Sequence, residues 1–193
     1  MGIYVTSDLH FNHKNILRLC RPQFKTIEEH NEYIIESFNG TVGKDDLVYV
    51  LGDVGFTPAS GLVPLVRALN GRKILLIGNH DVLKDNEYLA MGFIQVCRSP
   101  IYYSSTTILS HIPVQEALNN PYVINVHGHI HRGSLTLPNF INANVEINDY
   151  KPLDLRKIDA AAHDQCTKSR YAPYGQEWYA QFEHHPETQV NLV

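Results

Sequence analysis

A chain of 193 residues, 44% hydrophobic and 19% charged, is long enough for one domain with a full core and has little to spare. Its formal net charge of −4, with no lysine or arginine run, argues against a grip on long duplex nucleic acid, though a small anion could still be held through bound cations. The three scattered cysteines (Cys20, Cys97, Cys166), the strand-sized apolar runs and the uncharged N-terminal stretch give no sign of a disulfide framework, a membrane span or a secretory leader, so a cytoplasmic protein is expected.

In chain order, Ile3–Thr6 is a short β-type run leading to Asp8. Met1, Gly2 and Thr6 also match a myristoylation pattern, which the strand reading accounts for without a lipid. His13–Cys20 places Ile16, Leu17 and Cys20 on one side of a short helix. Thr26-Ile-Glu-Glu29 is a capping box, and Ile27, Ile34, Ile35 and Phe38 recur at helical spacing up to a stop at Gly40. Leu47–Leu51 is a second apolar run, closed by Gly52-Asp53. A helix across Leu62–Leu69 ends at Asn70-Gly71, and Lys73–Ile77 is the third strand, ending in Gly78-Asn79-His80-Asp81. Beyond a helix around Tyr88–Met91 the pattern turns mostly β: Phe93–Cys97, Ile101–Tyr103, Thr106–Ser110, Tyr122–Val126, Ser134–Leu137 and Phe140–Ile147. The apolar pattern fades from His163. Residues 1–162 are therefore expected to form the domain, and 163–193 a tail packed on or extending from it, anchored by Trp178, Tyr179 and Phe182.

The metal-capable residues fall at strand ends. Asp8 and His10 follow the first strand, Asp53 the second, Asn79 and His80 the third. His111 follows Thr106–Ser110, and His129 and His131 follow Tyr122–Val126. Strand ends along one edge of a mixed or parallel sheet open on a common crevice, so these groups are expected to meet. Taken singly, Asp-x-His or Gly-Asp is a common turn; Gly-His-x-His is more specific for metal.

As an ordered set, Asp8-Leu9-His10, Gly52-Asp53, Gly78-Asn79-His80-Asp81, Ser110-His111-Ile112-Pro113 and Gly128-His129-Ile130-His131 resemble the calcineurin-like metallophosphoesterases, over Ile3 to about Ile158. Ser7–Ile16, Arg21-Pro22 and Tyr150-Lys151-Pro152-Leu153 resemble a small cap-less bacterial or phage branch of that family. The resemblance implies an α/β fold, with two mixed β-sheets packed as a sandwich and helices on both outer faces. It also implies a pair of divalent transition-metal ions. One would be held by Asp8, His10, Asp53 and His131, the other by Asp53, Asn79, His111 and His129, with Asp53 bridging. His80 would stand over the leaving group as an acid or transition-state stabiliser. The implied reaction is hydrolysis of phosphomonoesters or phosphodiesters by a metal-bridging hydroxide.

Elementary chemistry agrees with that arrangement. Two cations about 3.5–4 Å apart can clamp a phosphoryl group for in-line attack. Asp offers two oxygens for a bridge, and the neutral Asn79 leaves the site net positive charge. Imidazole ligands favour manganese, the first expectation, or iron, nickel, cobalt or zinc, over magnesium.

Other residues carry two readings each. His13 and Asn12 either face the substrate or serve the surface and core. Arg21 either binds a substrate phosphate or ion-pairs at the surface. His127 either orients a neighbouring ligand or is a satisfied core histidine. Asp81 either orients His80 or caps the following helix. His184 and His185 are expected to be exposed. The expected partner is a small, nucleotide-like phosphate ester rather than duplex nucleic acid or a membrane, and oligomeric state is left open. The alternative is a nuclease or RNA-end-processing enzyme, which calls for stacking rings such as Tyr102, Tyr103 or Tyr122. A non-catalytic scaffold ranks last, because no ligand position is replaced.

Overall fold

The computed structural model describes residues 1–133 and 135–171. The elements in order are β1 (Ile3–Thr6), α1 (Lys14–Leu19), α2 (Ile27–Asn39), β2 (Leu47–Val50), α3 (Ala59–Ala68), β3 (Arg72–Leu76), α4 (Asp85–Met91) and β4 (Phe93–Cys97). They continue with β5 (Ile101–Tyr102), β6 (Thr107–Leu109), α5 (Gln115–Asn119), β7 (Ile124–His127), β8 (Phe140–Asn142), β9 (Leu153–Asp154) and α6 (Leu155–Tyr171). Two mixed sheets result, in the orders β4-β3-β2-β1-β9 and β5-β6-β7-β8. β1 to β4 run parallel, with β9 antiparallel at the edge; β6, β7 and β8 run parallel, with β5 antiparallel.

Period-two alternation divides the strand residues between two cores. Val48, Val50 and Leu75 join Ile34 and Phe38 of α2, Leu62 and Val66 of α3, and Tyr88 and Met91 of α4 in one buried cluster. Val5, Leu51 and Leu76 face the other way, toward Leu109, Ile124 and Val126 of the second sheet. α6 adds Leu155 and Ala162 to this inter-sheet cluster. α2 begins where the Thr26 hydroxyl accepts from the Glu29 N–H, a cap that contributes about 1 kcal/mol, and it ends at Gly40. The two sheets touch directly where Ser7, just past β1, bridges to Asn144, just past β8.

Three expectations are corrected. Residues 135–137 are not a strand: Gly133 and Pro138 flank them and break the ladder, while Ser134 lies outside the described residues. The run Phe140–Ile147 stays a strand only to Asn142. The Asn144 side chain then accepts from the Glu146 N–H and turns Val145–Ile147 into a 3-10 helix, a local bond competing with the ladder. Residue 163 is not a break, because α6 runs through it. The Asp154 carboxylate accepts from the N–H groups of Arg156 and Lys157 to start that helix. The remainder of the expected tail, including Trp178, Tyr179, Phe182, His184 and His185, lies outside the described residues. Among the described residues no helix is long and apolar enough to cross a membrane.

Candidate metal centre

Parallel pairing puts the C-terminal ends of β1, β2 and β3 along one edge, and those of β6 and β7 along the corresponding edge of the second sheet. The loops continue the pairing for a few residues. Asp8 donates its N–H to Gly52, His10 to Asp53 and Phe11 to Val54, while Gly128 donates to His111. The two edges meet closely: a Cβ added to Gly128 would lie 1.9 Å from Ser7 Oγ and 2.3 Å from Asp8 Oδ2. Only glycine fits there.

The backbone is strained where the candidate ligands sit. Among the described residues, eight that are not glycine have positive φ, and five of them are Asp8 (59°), His10 (51°), Asp53 (54°), His129 (69°) and His131 (49°). Such conformations cost about 1 kcal/mol or more each and persist where surrounding structure enforces them, commonly at functional sites.

Seven side chains from the five strand ends converge. Asp8, His10 and His131 can place one donor atom each within 4.8 Å of one another, and so can Asp8, Asp53 and His111. Asp53 Oδ2 lies 3.6 Å from His10 Nε2 and 3.6 Å from His111 Nε2. Its other oxygen, Oδ1, accepts from the His80 N–H at 2.9 Å. Asn79 Oδ1 is 2.8 Å from both His111 Nε2 and His129 Nδ1. The His111 Nδ1–H donates to the Leu51 carbonyl at 2.7 Å, which leaves a lone pair on Nε2 directed at these acceptors. His10 Nε2 is buried without a hydrogen-bond partner, 3.8 Å from Asp8 Oδ1. Acceptor atoms facing one another in a buried pocket fit a cation, for which separations of about 3.4 Å between neighbouring ligands are ordinary. Burial pushes the Asp8 carboxyl up from its usual range and holds His10 and His129 neutral, the protonation state a ligating imidazole needs.

Residues outside this ring hold it in place. Asp81 orients neither His80 nor α4, whose N-cap is Lys84. Instead its carboxylate accepts from the N–H groups of Asp53 (2.8 Å), Gly78 (2.8 Å) and Val54 (3.0 Å), tying the Asp53 loop to the Asn79 loop. Both expectations for Arg21 are also corrected. Its side chain has no exposure, and the guanidinium donates to the carbonyls of Asp8 (2.6 Å) and Leu9 (2.9 Å), to Glu146 (2.9 Å) and toward His30 Nε2 (2.6 Å). Four of its five N–H groups are spent on these acceptors, and the buried side chain does not reach solvent, where a substrate phosphate would come from. Glu146, absent from the sequence reading, accepts from Arg21 and from His131 Nδ1–H at 2.8 Å, and that bond raises the pKa of His131. Cys20, His131 and Glu146 form a further donor grouping, in which Glu146 Oε1 already accepts from Arg21 and His131 while Oε2 is buried without a hydrogen-bond partner, 3.7 Å from Arg132 Nε. His127 is buried, donating to the Gly128 carbonyl at 3.0 Å. Asn12 bonds Asn31 and Gly61.

His80 and His13 stand at the mouth. The His80 ring lies 5.6 Å from that of His10 and 6.0 Å from that of His13, and both are half-buried.

Comparison with known proteins agrees with this geometry. The family model described as calcineurin-like phosphoesterase matches residues 1–191. An uncharacterized protein of Methanocaldococcus jannaschii is 33% identical over 170 residues, covering 81% of this chain and 88% of that protein. The gene 66 protein of Mycobacterium phage L5 is 29% identical over 159 residues, covering 66% of this chain and 76% of that protein. Among solved structures, a protein of unknown function from Aquifex aeolicus superposes with a TM-score of 0.65 at 31% identity, over 83% of this chain and 98% of its own.

Proposed function

The chain belongs to the calcineurin-like phosphoesterase family, and on that premise we propose that it is a binuclear metal-dependent hydrolase of small, nucleotide-like phosphate esters. The observation that carries this reading is the placement of Asp53 Oδ2 at 3.6 Å from an imidazole nitrogen on either side, with Oδ1 tied back to the His80 N–H. Such a position suits a bridging ligand. Asp8, His10 and His131 complete one half of the centre, and Asn79, His111 and His129 the other.

Divalent cations there, manganese first, would supply Lewis-acid polarisation of the phosphoryl oxygens and activation of water. The protein's part is to position and to move a proton. His80 stands at the mouth outside both donor sets, as His13 does, but His80 alone of the two is tied by its N–H to Asp53, which suits it to pass a proton to the leaving oxygen as the P–O bond breaks. The formal net charge of −4 supports a small ester over a long polyanion.

The test is a panel of phosphomonoesters, linear diesters and cyclic nucleotides with Mn²⁺, Ni²⁺ or Mg²⁺, run on the parent and on His80→Ala. His80→Ala should keep its metal and lose on the order of a hundredfold in kcat. Equal turnover of bis-p-nitrophenyl phosphate by both proteins would refute the role given to His80.

A further inference from the structure

An apolar cleft of about 350 Å³ opens beside His80, walled by Phe56, Pro58, His80, Val82, Leu83 and Tyr88. Among the described residues no charged side chain lines it. Two of its walls are large apolar groups left in water, Phe56 at 55% exposure and Val82 at 83%. Neither packs in the core, so folding does not explain their apolar character. The Phe56 ring stacks on His13 (4.9 Å, 27°) and meets His80 edge-on (5.8 Å, 77°). A continuous wall therefore runs from His10 through His80 into the cleft.

We propose that this cleft binds an apolar, aromatic leaving group of the phosphate ester, with Phe56 and Val82 determining specificity. The inference rests on the phosphoesterase reading above and narrows its substrate class to phosphate esters of an aromatic alcohol, in place of a nucleotide. The volume is at the small end for ligand sites and suits one or two fused rings. The chemistry suits it as well. Water adds to phosphorus and gives up one proton, the bond from phosphorus to the aryl oxygen breaks with its electron pair going to that oxygen, and His80 relays a proton to it, so that ester and water leave as a phosphate and an aromatic alcohol. The product beside His80 is a neutral aromatic alcohol, which uncharged walls accommodate better than a phenolate.

Two measurements test this. First, 2-naphthol is titrated into the metal-free protein and followed by its fluorescence, for the parent and Val82→Asp; Val82 is exposed enough that folding is not at stake. Binding should weaken about tenfold in the variant. Second, the manganese-loaded proteins, with metal content checked as equal, are compared on methyl 2-naphthyl phosphate and methyl phenyl phosphate, whose leaving groups have similar acidity. The parent should favour the naphthyl ester about fivefold in kcat/KM, from the extra apolar area buried, and Val82→Asp should lose that preference. Equal naphthol binding by the two proteins, or a preference unchanged by Val82→Asp, overturns the leaving-group cleft while leaving the phosphoesterase reading intact. Naphthol binding with no ester hydrolysed under any metal overturns the phosphoesterase reading, and the leaving-group role with it.

Discussion

Two short arms reach the centre with the same backbone and different surroundings. Asp8-Leu9-His10 follows the first sheet and His129-Ile130-His131 the second, and in each the outer two residues have positive φ. The first arm is sealed: Asp8 is 0% exposed and His10 1%. The second is open, with His129 and His131 half-buried. Backbone shape alone therefore does not fix how rigid an arm is. The first is clamped from behind by the Arg21 guanidinium on two of its carbonyls, whereas the second is held by Asn142 Nδ2 on the His131 carbonyl, by the His131 side chain on Glu146 and by the His129 N–H on Asp8. One ion pair, Arg21 with Glu146, joins the two supports.

The comparison breaks most completely at the ligand both halves share. Asp53→Asn should lose both cations and at least a thousandfold in activity, since neither arm can close a site without that oxygen; elemental analysis after desalting reads it. Two ions still bound would show that the arms work independently.

Arg21→Met unclamps the sealed arm and leaves the Glu146 carboxylate buried without its cation. Removing one partner of a buried pair costs about 3 kcal/mol, to be seen as a lower urea midpoint of the metal-free protein. A change as small as that of a surface substitution would mean that the clamp is ornamental to the fold.

Acid should act on the same clamp. Burial first, and the neighbouring Arg21 charge second, pull the pKa of His30 down to about 4 from an ordinary 6.5. The unfolded chain thus takes up this proton before the folded one. The stability involved is whole above pH 6.5 and declines as pH falls toward 4. By pH 4.5 the loss should be about 2 kcal/mol, and His30→Gln should flatten this part of the urea-midpoint profile. An unchanged profile would place the acid sensitivity elsewhere.

The smallest effect belongs to the open arm. Glu146→Gln preserves shape and removes the charge that raises His131, so manganese affinity should weaken about tenfold in a metal titration, and because Arg21 then lies buried without its anion the urea midpoint should fall as well. Manganese affinity equal to that of the parent would show that the bond from His131 to Glu146 does not support the open arm.

This contrast also explains what the sequence could reveal. The sheets, most strands and the convergence of seven candidate side chains were legible, because each follows an apolar run that reads as a strand and parallel pairing brings those ends together. The supports were not. Arg21 and Glu146 lie 125 positions apart and meet through single hydrogen bonds, with nothing in either neighbourhood to announce the other. Asp81 reads locally as a cap, yet its partners include Asp53 and Val54 from a different loop. The start of α6 did carry a signal, since Asp154 precedes Leu155, Ile158 and Ala162 at helical spacing, but the polar residues after it masked that pattern. The cleft beside His80 joins Phe56 and Val82 from two loops whose approach only the folded sheet creates.

Anomalous diffraction from a manganese-soaked crystal addresses the shared carboxylate most directly. Two peaks about 3.5–4 Å apart should flank Asp53, each completed by ligands from both sheets. A single peak, or two peaks that do not share Asp53, would contradict the account.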